Sequence, residues 1–390
     1  MNATDVLHPR LLRSKIRDHL QSPDGAAERL YRKGYARSLA LEKENHHKQQ
    51  IHYPIDFVVT WVDLTDPAWQ AEKESYYRQL NKQDQGNNAP ARYRDWGLFP
   101  YWFRAVERYA PWVRYVWLVT CGHTPAWLNM NHPKLRIARH EEFIPREYLP
   151  TFNTQCIELN LWRIPELSEH FVYFNDDMYL FSDVKKEDFF TGELPNYCAV
   201  AKPLWPHEHM TSFEHKLLNN LGLFNSSFRL RDVMREAPEK WFSCQYGEDA
   251  IYNQMAYITG YLTGMFFPHL PVPQRKSSME VCYRAFSQSF DCTCRNRFRS
   301  MYDISNRVFE IWDMMHNTFE PVSAKHYGIF FNHTPDKLGA IRKAFAKKRA
   351  YKCICLNDCE AVQEKDYQTV KTSLLRLMDK KLPKKSSYEK

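Results

Sequence analysis

The sequence predicts an α/β protein: a mostly parallel sheet flanked by helices and interrupted by a long helical insertion. Three observations carry this prediction. Short apolar runs rich in β-branched and aromatic residues recur at 55–62, 113–120, 134–139 and 171–174, each separated from the next by helical or turn-rich segments. The run at 171–174 is unbroken rather than alternating, as expected of a strand covered on both faces of a parallel sheet. Between 200 and 335 the strand signals thin out and helical periodicity takes over, at about 226–236, 247–260, 277–289 and 302–317. Four segments follow: a basic helical N-terminal arm (1–50), an α/β core (51–200), the helical insertion (201–335), and a C-terminal segment returning to the core (336–390).

Taken in order, the arm shows helical spacing around 26–41, with Leu30, Tyr31, Ala36 and Leu39 on one side. Ile55–Val62 reads as a buried strand ending at Asp63, after which Asp66-Pro67 looks like an N-cap with proline at the first helical position. A helix is expected to follow through about Leu80. The segment 83–90 is a polar loop, and a helix follows at 96–109. Strands at 113–120 and 134–139, a helix at 154–165 and a strand at 171–174 complete the core. Pro268–Pro273 is expected to be a stiff, extended loop within the insertion. A last strand at 352–356 ends in Asn357-Asp358, a helix covers 364–379, and the Lys-rich tail 380–390 is expected to fray.

Composition narrows the function. The 390 residues are 44% hydrophobic and 15% aromatic, which is enough for a sizeable core. Basic residues exceed acidic ones by eight, 54 against 46, a modest excess that suits anionic partners such as nucleotides, glycans or a lipid surface. No aromatic-basic repeat or zinc-finger spacing points to nucleic acid. No run approaches the length of a membrane span, and the N-terminus lacks the apolar stretch of an export signal, so the ten cysteines are expected to be reduced thiols. Cys292, Cys294, Cys353, Cys355 and Cys359, and likewise His207, His209 and His215, have poor spacing for a zinc site. The twelve glycines form neither a Walker A loop nor a G-x-G-x-x-G turn.

Residues 171–177, Phe-Val-Tyr-Phe-Asn-Asp-Asp, are the stretch around which the chemistry is organised. In open α/β sheets ligands collect beyond the carboxyl ends of the strands, where Asp176 and Asp177 would sit. Adjacent carboxylates repel unless a cation or donor lies between them, and a hard ion such as Mg²⁺ takes oxygen ligands while sharing substrate phosphates. The competing reading is a turn that caps the next element. Without a glycine loop, a diphosphate would be held by metal and basic side chains.

Four blocks in order carry a family resemblance. Ile55–Asp63 is the first. Arg94-Asp95, Ala110–Arg114, Leu149–Asn153, Ile157-Glu158 and Tyr173–Asp177 make up the second. His269-Leu-Pro271 with Arg299 is the third, and Cys355–Asp358 the fourth. Together they resemble the Stealth family of sugar-1-phosphate transferases, which act in bacterial capsule and exopolysaccharide synthesis and are related to the animal N-acetylglucosamine-1-phosphotransferase. The resemblance implies a Rossmann-like, glycosyltransferase-A-like sheet that binds a nucleotide sugar, most plausibly a UDP-sugar. A glycan hydroxyl would attack the phosphorus next to the sugar and release UMP. It implies Mg²⁺ or Mn²⁺ on Asp176 and Asp177, with Asp358 as a further ligand. It casts His269 as general base, Arg299 as the group neutralising the transferred phosphoryl, and Glu158 as a sugar contact. Asp56, Thr60, Trp61, Asp63, Arg94, Asn153, Asn175 and Asn357 would line the substrate. It places the protein in the cytoplasm, at the inner face of the membrane; the charges of Arg10, Arg13, Lys15 and Arg17 suit a membrane surface, although a merely solvated face is the more frequent reason for such charge. Gln155 and Trp162 depart from the pattern, standing where many relatives carry histidines. Two rivals remain at this point: a metal-dependent glycosyltransferase releasing UDP, and a non-catalytic glycan- or membrane-binding scaffold.

Overall fold

The computed structural model describes residues 25–44, 50–79, 94–208, 210–324, 327–347, 351–359 and 362–390. The basic positions 10–17 and the loop 83–90 lie outside the described residues. The strands are β1 (Ile55–Thr60), β2 (Val116–Thr120), β3 (Leu135–Arg139), β4 (His170–Phe174), β5 (Met178–Leu180), β6 (Phe190–Thr191), β7 (Leu194–Tyr197), β8 (Val272–Arg275), β9 (Glu320–Pro321), β10 (Gly328–Asn332) and β11 (Cys353–Asn357). The central sheet has the order β3-β2-β1-β4-β8. Its first four strands are parallel, as expected, and β8 joins antiparallel at the edge. The order reverses between β1 and β4, so the crevice beyond their carboxyl ends is a topological switch point, where open α/β sheets bind ligands.

The chain makes one unusual transfer at that point. After Phe174 it leaves the central sheet, passes through Asn175-Asp176-Asp177, and enters a second sheet of order β10-β11-β5. Here β11 runs antiparallel to β5, with Cys355 opposite Met178. The Met178 amide donates to the Asn175 carbonyl and the Leu356 amide to the Asp177 carbonyl, so both sheets hold the acidic turn. A small third sheet, β6-β7-β9, lies apart.

Helices cover the faces: α1 (Ala26–Glu44), α2 (Pro67–Tyr77), α3 (Phe99–Tyr109), α4 (Thr154–Leu159), α5 (Ser212–Ser227), α6 (Leu230–Glu236), α7 (Pro238–Trp241), α8 (Ala250–Thr259), α9 (Lys276–Ala285), α10 (Ser287–Cys294), α11 (Arg307–Met315), α12 (Leu338–Ala346) and α13 (Glu364–Lys381), with short helical turns between some of them. The Asp66 cap forms as the sequence predicts, its carboxylate accepting from the Trp69 amide with Pro67 at the first helical position. Helix α3 has Trp102, Phe103 and Val106 almost wholly buried, Trp102 edge-on to Phe174 of β4. Burial of side chains this large stabilises by about 1.5–3 kcal/mol each.

Three expectations need correction. Helix α5 was not expected to start at Ser212, although Thr211 and Glu214 form a reciprocal capping box there. The segment 268–273 is not wholly loop, because Val272–Arg275 pairs with β4. Pro273 is tolerated because an edge strand can do without its amide donor. The Lys-rich tail does not fray. Glu389 accepts a two-point ion pair from Arg104, and Tyr388 is 2% exposed, stacked on His132.

Candidate active site

The acidic turn lies where the sequence places it. Asp176 is exposed to solvent, and the protein atoms crowding one side of its carboxyl, reinforced by the charge of Asp177, raise its pKa to about 7. Asp177 is less exposed. Its Oδ1 is buried without a hydrogen-bond partner, and its Oδ2 lies 3.5 Å from His269 Nε2 and 3.4 Å from Cys355 Sγ. Native proteins rarely leave a buried carboxylate oxygen unpaired. A hard divalent cation fits an acidic pair with such an orphan, so Asp176 and Asp177 could hold Mg²⁺ or Mn²⁺.

His269 reaches this point from the loop before β8, ninety residues away in sequence. Its side chain is one-third exposed and its Nε2 is 3.5 Å from the Asn175 amide. Arg307 ties the loop down: one guanidinium nitrogen pairs with Glu310 at 2.6 Å, and another donates to the Pro268 carbonyl at 2.9 Å. The Phe330 ring stands edge-on to the imidazole.

Beside the turn runs a second, buried chain of polar groups. Thr60 at the end of β1 is 3.3 Å from the Tyr173 hydroxyl, which donates to Glu158 Oε1 at 2.9 Å. Burial raises the pKa of Glu158, while Lys216, Arg299 and Arg307 oppose the rise. Lys216, from α5, is a basic residue that sequence reasoning missed. The only signal for it was the capping box that opens α5. Arg299 touches Thr154 at 3.3 Å. Asp303, four residues after Arg299, is satisfied by Asn153, Asn296 and the Ser300 amide.

Several expected substrate contacts have hydrogen-bond partners within the protein. Asp56 is fully buried at the opposite end of β1, where it accepts two bonds from Arg114 and one each from the Tyr115 amide, the Trp117 indole and the Ser168 amide. Asn153 caps α4 and braces Asp303. Arg94 and Asp358 are engaged with each other. They bind each other through two 2.9 Å bonds, and Arg94 also holds the carbonyls of Val362 and Cys359. Asn357 is bonded to Asn332. Trp61 stacks parallel to Phe99, and Asp63 accepts from both the amide and hydroxyl of Thr65. These two, with Thr60 and Asn175, remain near the carboxyl ends of β1 and β4.

The two departures from the family pattern also find an account. Trp162 packs against Tyr283 of α9 with Arg163 over its ring, and Gln155 is buried on α4. Two further residues escaped the sequence reading: His123, which accepts from the Asp63 amide, and His333, buried 3.9 Å from Asp358. A separate cavity of about 50 Å³ lies behind the His269 loop, lined in part by Tyr197, Arg307, Glu310 and Tyr327. It is far smaller than the ~300–1,000 Å³ a ligand of nucleotide size occupies. All ten cysteines are free thiols, and no helix among the described residues is long and apolar enough to cross a membrane.

Comparison with known proteins agrees with this geometry. The profile "Stealth protein CR1, conserved region 1" matches residues 53–80, and "Stealth protein CR2, conserved region 2" matches 92–196. The chain is 38% identical over 339 residues to the capsular polysaccharide phosphotransferase WcwK of Streptococcus pneumoniae, covering 86% of this chain and 98% of that protein. It is 36% identical over 337 residues to the receptor polysaccharide phosphotransferase WefC of Streptococcus gordonii, with 86% and 98% covered. It is 36% identical over 344 residues to the exopolysaccharide phosphotransferase cps2G of Lactiplantibacillus plantarum, with 87% and 97% covered. A likeness that spans nearly the whole of each relative, and whose profile matches include the strand leading into the acidic turn, places the chain in the Stealth family as a phosphotransferase enzyme.

Proposed function

We propose that the protein transfers a sugar-1-phosphate from a nucleotide sugar, in particular a UDP-sugar, to a hydroxyl of a capsular or exopolysaccharide glycan, releasing UMP. The observation that carries the reading is the meeting of His269 with the acidic turn, at the carboxyl ends of β1 and β4. A base and a cation-holding pair there fit phosphoryl transfer, which is governed by positioning and charge.

The nucleotide lies over the ends of β1 and β4, near Thr60, Trp61 and Asp63, with Asn175 toward the phosphates. Asp176 and Asp177 hold Mg²⁺ or Mn²⁺, which when bound neutralises charge on the diphosphate. The acceptor hydroxyl approaches His269, whose Nε2 takes the proton as the oxygen bonds to the sugar-bearing phosphorus. The bond from that phosphorus to the bridging oxygen breaks, and UMP leaves with the electron pair. Asp177 Oδ2, 3.5 Å away, stabilises the imidazolium that forms. Arg299 and Lys216 bring positive charge to the same side of the cleft, and Glu158, which faces both, orients a sugar hydroxyl. The basic N-terminal arm provides contact with the inner face of the membrane.

The test is the nucleotide product. Incubation with a panel of UDP-sugars, an acceptor-glycan pool and Mg²⁺ or Mn²⁺ is expected to yield UMP and a new phosphodiester. Release of UDP instead would reassign the protein to glycosyl transfer at the anomeric carbon.

A further inference from the structure

Cys355 has no part in the chemistry above, yet its sulfur sits against the acidic turn. Three elements distant in sequence converge there: Asp177 from the β4–β5 joint, His269 from the loop before β8, and Cys355 from β11. One ligand atom from each lies within 4.8 Å of the other two. The individual edges are more telling. Asp177 Oδ2 is 3.5 Å from His269 Nε2 and 3.4 Å from Cys355 Sγ. A tetrahedral zinc ion, with bonds of about 2.0 Å to oxygen and nitrogen and about 2.3 Å to sulfur, sets its ligand atoms about 3.3–3.5 Å apart. Two of the three edges therefore already have the length such an ion requires. The third is within reach of a small rotation of the one-third-exposed imidazole.

We propose that Asp177, His269 and Cys355 form a binding site for zinc, distinct in chemistry from the hard-cation site of the acidic pair. Sulfur sets the difference. A thiolate is a soft ligand that favours zinc and disfavours magnesium, whereas Asp176 and the unpaired Oδ1 of Asp177 offer oxygen alone. The buried position of Cys355 beneath the turn keeps it from other thiols, while the partly exposed faces of Asp177 and His269 give the ion its entry. On binding, the Cys355 sulfur gives up its proton to water as the metal–sulfur bond forms. Three protein ligands leave the fourth position to solvent, on the open side of His269.

The site has a regulatory consequence, which rests on the role of His269 proposed above. The ion occupies Nε2, the nitrogen assigned to the acceptor proton, so zinc switches transfer off while Mg²⁺ or Mn²⁺ supports it. Zinc binding itself does not depend on that role.

Cobalt(II) serves as the spectroscopic stand-in for zinc. Titration of the full chain is expected to give a sulfur-to-cobalt charge-transfer band in the near ultraviolet and tetrahedral bands in the visible. Both should saturate at one ion per chain and be displaced by stoichiometric Zn²⁺ but not by excess Mg²⁺. Cys355→Ser should lose the charge-transfer band, and Cys121→Ser, at an exposed thiol, should keep it. If Cys355→Ser fails to fold, as read by circular dichroism, His269→Gln decides, with cobalt affinity expected to fall at least about tenfold. Absence of the band in the unmodified chain overturns the site, as does its survival in folded Cys355→Ser or its displacement by Mg²⁺. Cobalt binding as expected, with zinc failing to inhibit transfer, would instead remove His269 as the base and leave the site standing.

Discussion

Two carboxylates on one sheet show how differently a fold can treat the same side chain. Asp56 sits at the amino-terminal end of β1, wholly buried, with five donated hydrogen bonds from Arg114, Tyr115, Trp117 and Ser168. Asp177 sits just past the carboxyl end of β4, with one oxygen unpaired and the other facing His269 and Cys355 at more than 3 Å. Asp56 has no capacity left for a ligand, whereas Asp177 has little else to engage it. An unsatisfied acid at a strand's carboxyl end is a binding feature, and a saturated one at the amino end is a structural brace. The Asp358 carboxylate, just past the carboxyl end of β11, is like Asp56 already engaged, by two bonds from Arg94.

The comparison breaks most easily at its catalytic end. His269→Ala is expected to lower kcat by ~10²–10⁴-fold, the usual worth of a general base, with donor affinity little changed. Steady-state kinetics alongside a donor titration check this, and full turnover in the variant would dismiss the imidazole. At the structural end, Asp56→Ala should leave donor affinity per folded molecule intact but destabilise the protein by ~3 kcal/mol. That figure is at the lower end for a broken buried pair because Arg114, one-third exposed, can rehydrate. A urea midpoint that did not move would mean the Asp56 network contributes nothing to stability.

The smallest effect sharpens the comparison at the buried chain between the two ends. Burial holds the pKa of Glu158 above the ordinary carboxylate value of ~4.3, so the folded state retains a proton that the unfolded state has released. Stability from this group is complete below the unfolded pKa and is lost as pH rises through the folded one. Glu158→Gln removes that dependence. Its unfolding free energy, followed from pH 4 upward, should fall less steeply with pH than that of the unmodified chain. Parallel curves would show that Glu158 ionises as freely as a surface acid.

How much of this was legible in the sequence follows from the range of the forces involved. Strands β1, β2 and β4 announced themselves because burial on both faces demands largely apolar runs, and the Asp66-Pro67 cap is a local hydrogen bond. The acidic turn was readable for the same reason. What failed was non-local. Pro271 and Pro273 hid β8, since its pairing is decided by the edge of a sheet about a hundred residues earlier in the chain. The Lys-rich tail concealed Tyr388 and Glu389, whose partners Arg104 and His132 are more than 250 residues away. Arg94 and Asp358 were each read as ligand-directed because neither spacing nor composition shows that they meet. Cys355 was dismissed on its spacing to other cysteines, when its neighbours are an aspartate and a histidine brought in by the fold.

The transfer of the chain from one sheet to the other at Asn175–Asp177 also has a temporal meaning. The central sheet can pair β1 through β4 from the first half of the polypeptide, but the Asp177 carbonyl is held by the Leu356 amide, contributed by the last of the described strands. During synthesis the crevice at the switch point would thus exist in outline well before its acidic turn is fastened. Only when β11 has left the ribosome and aligned with β5 can the turn take its final form, so a chain lacking that strand is expected to be inactive.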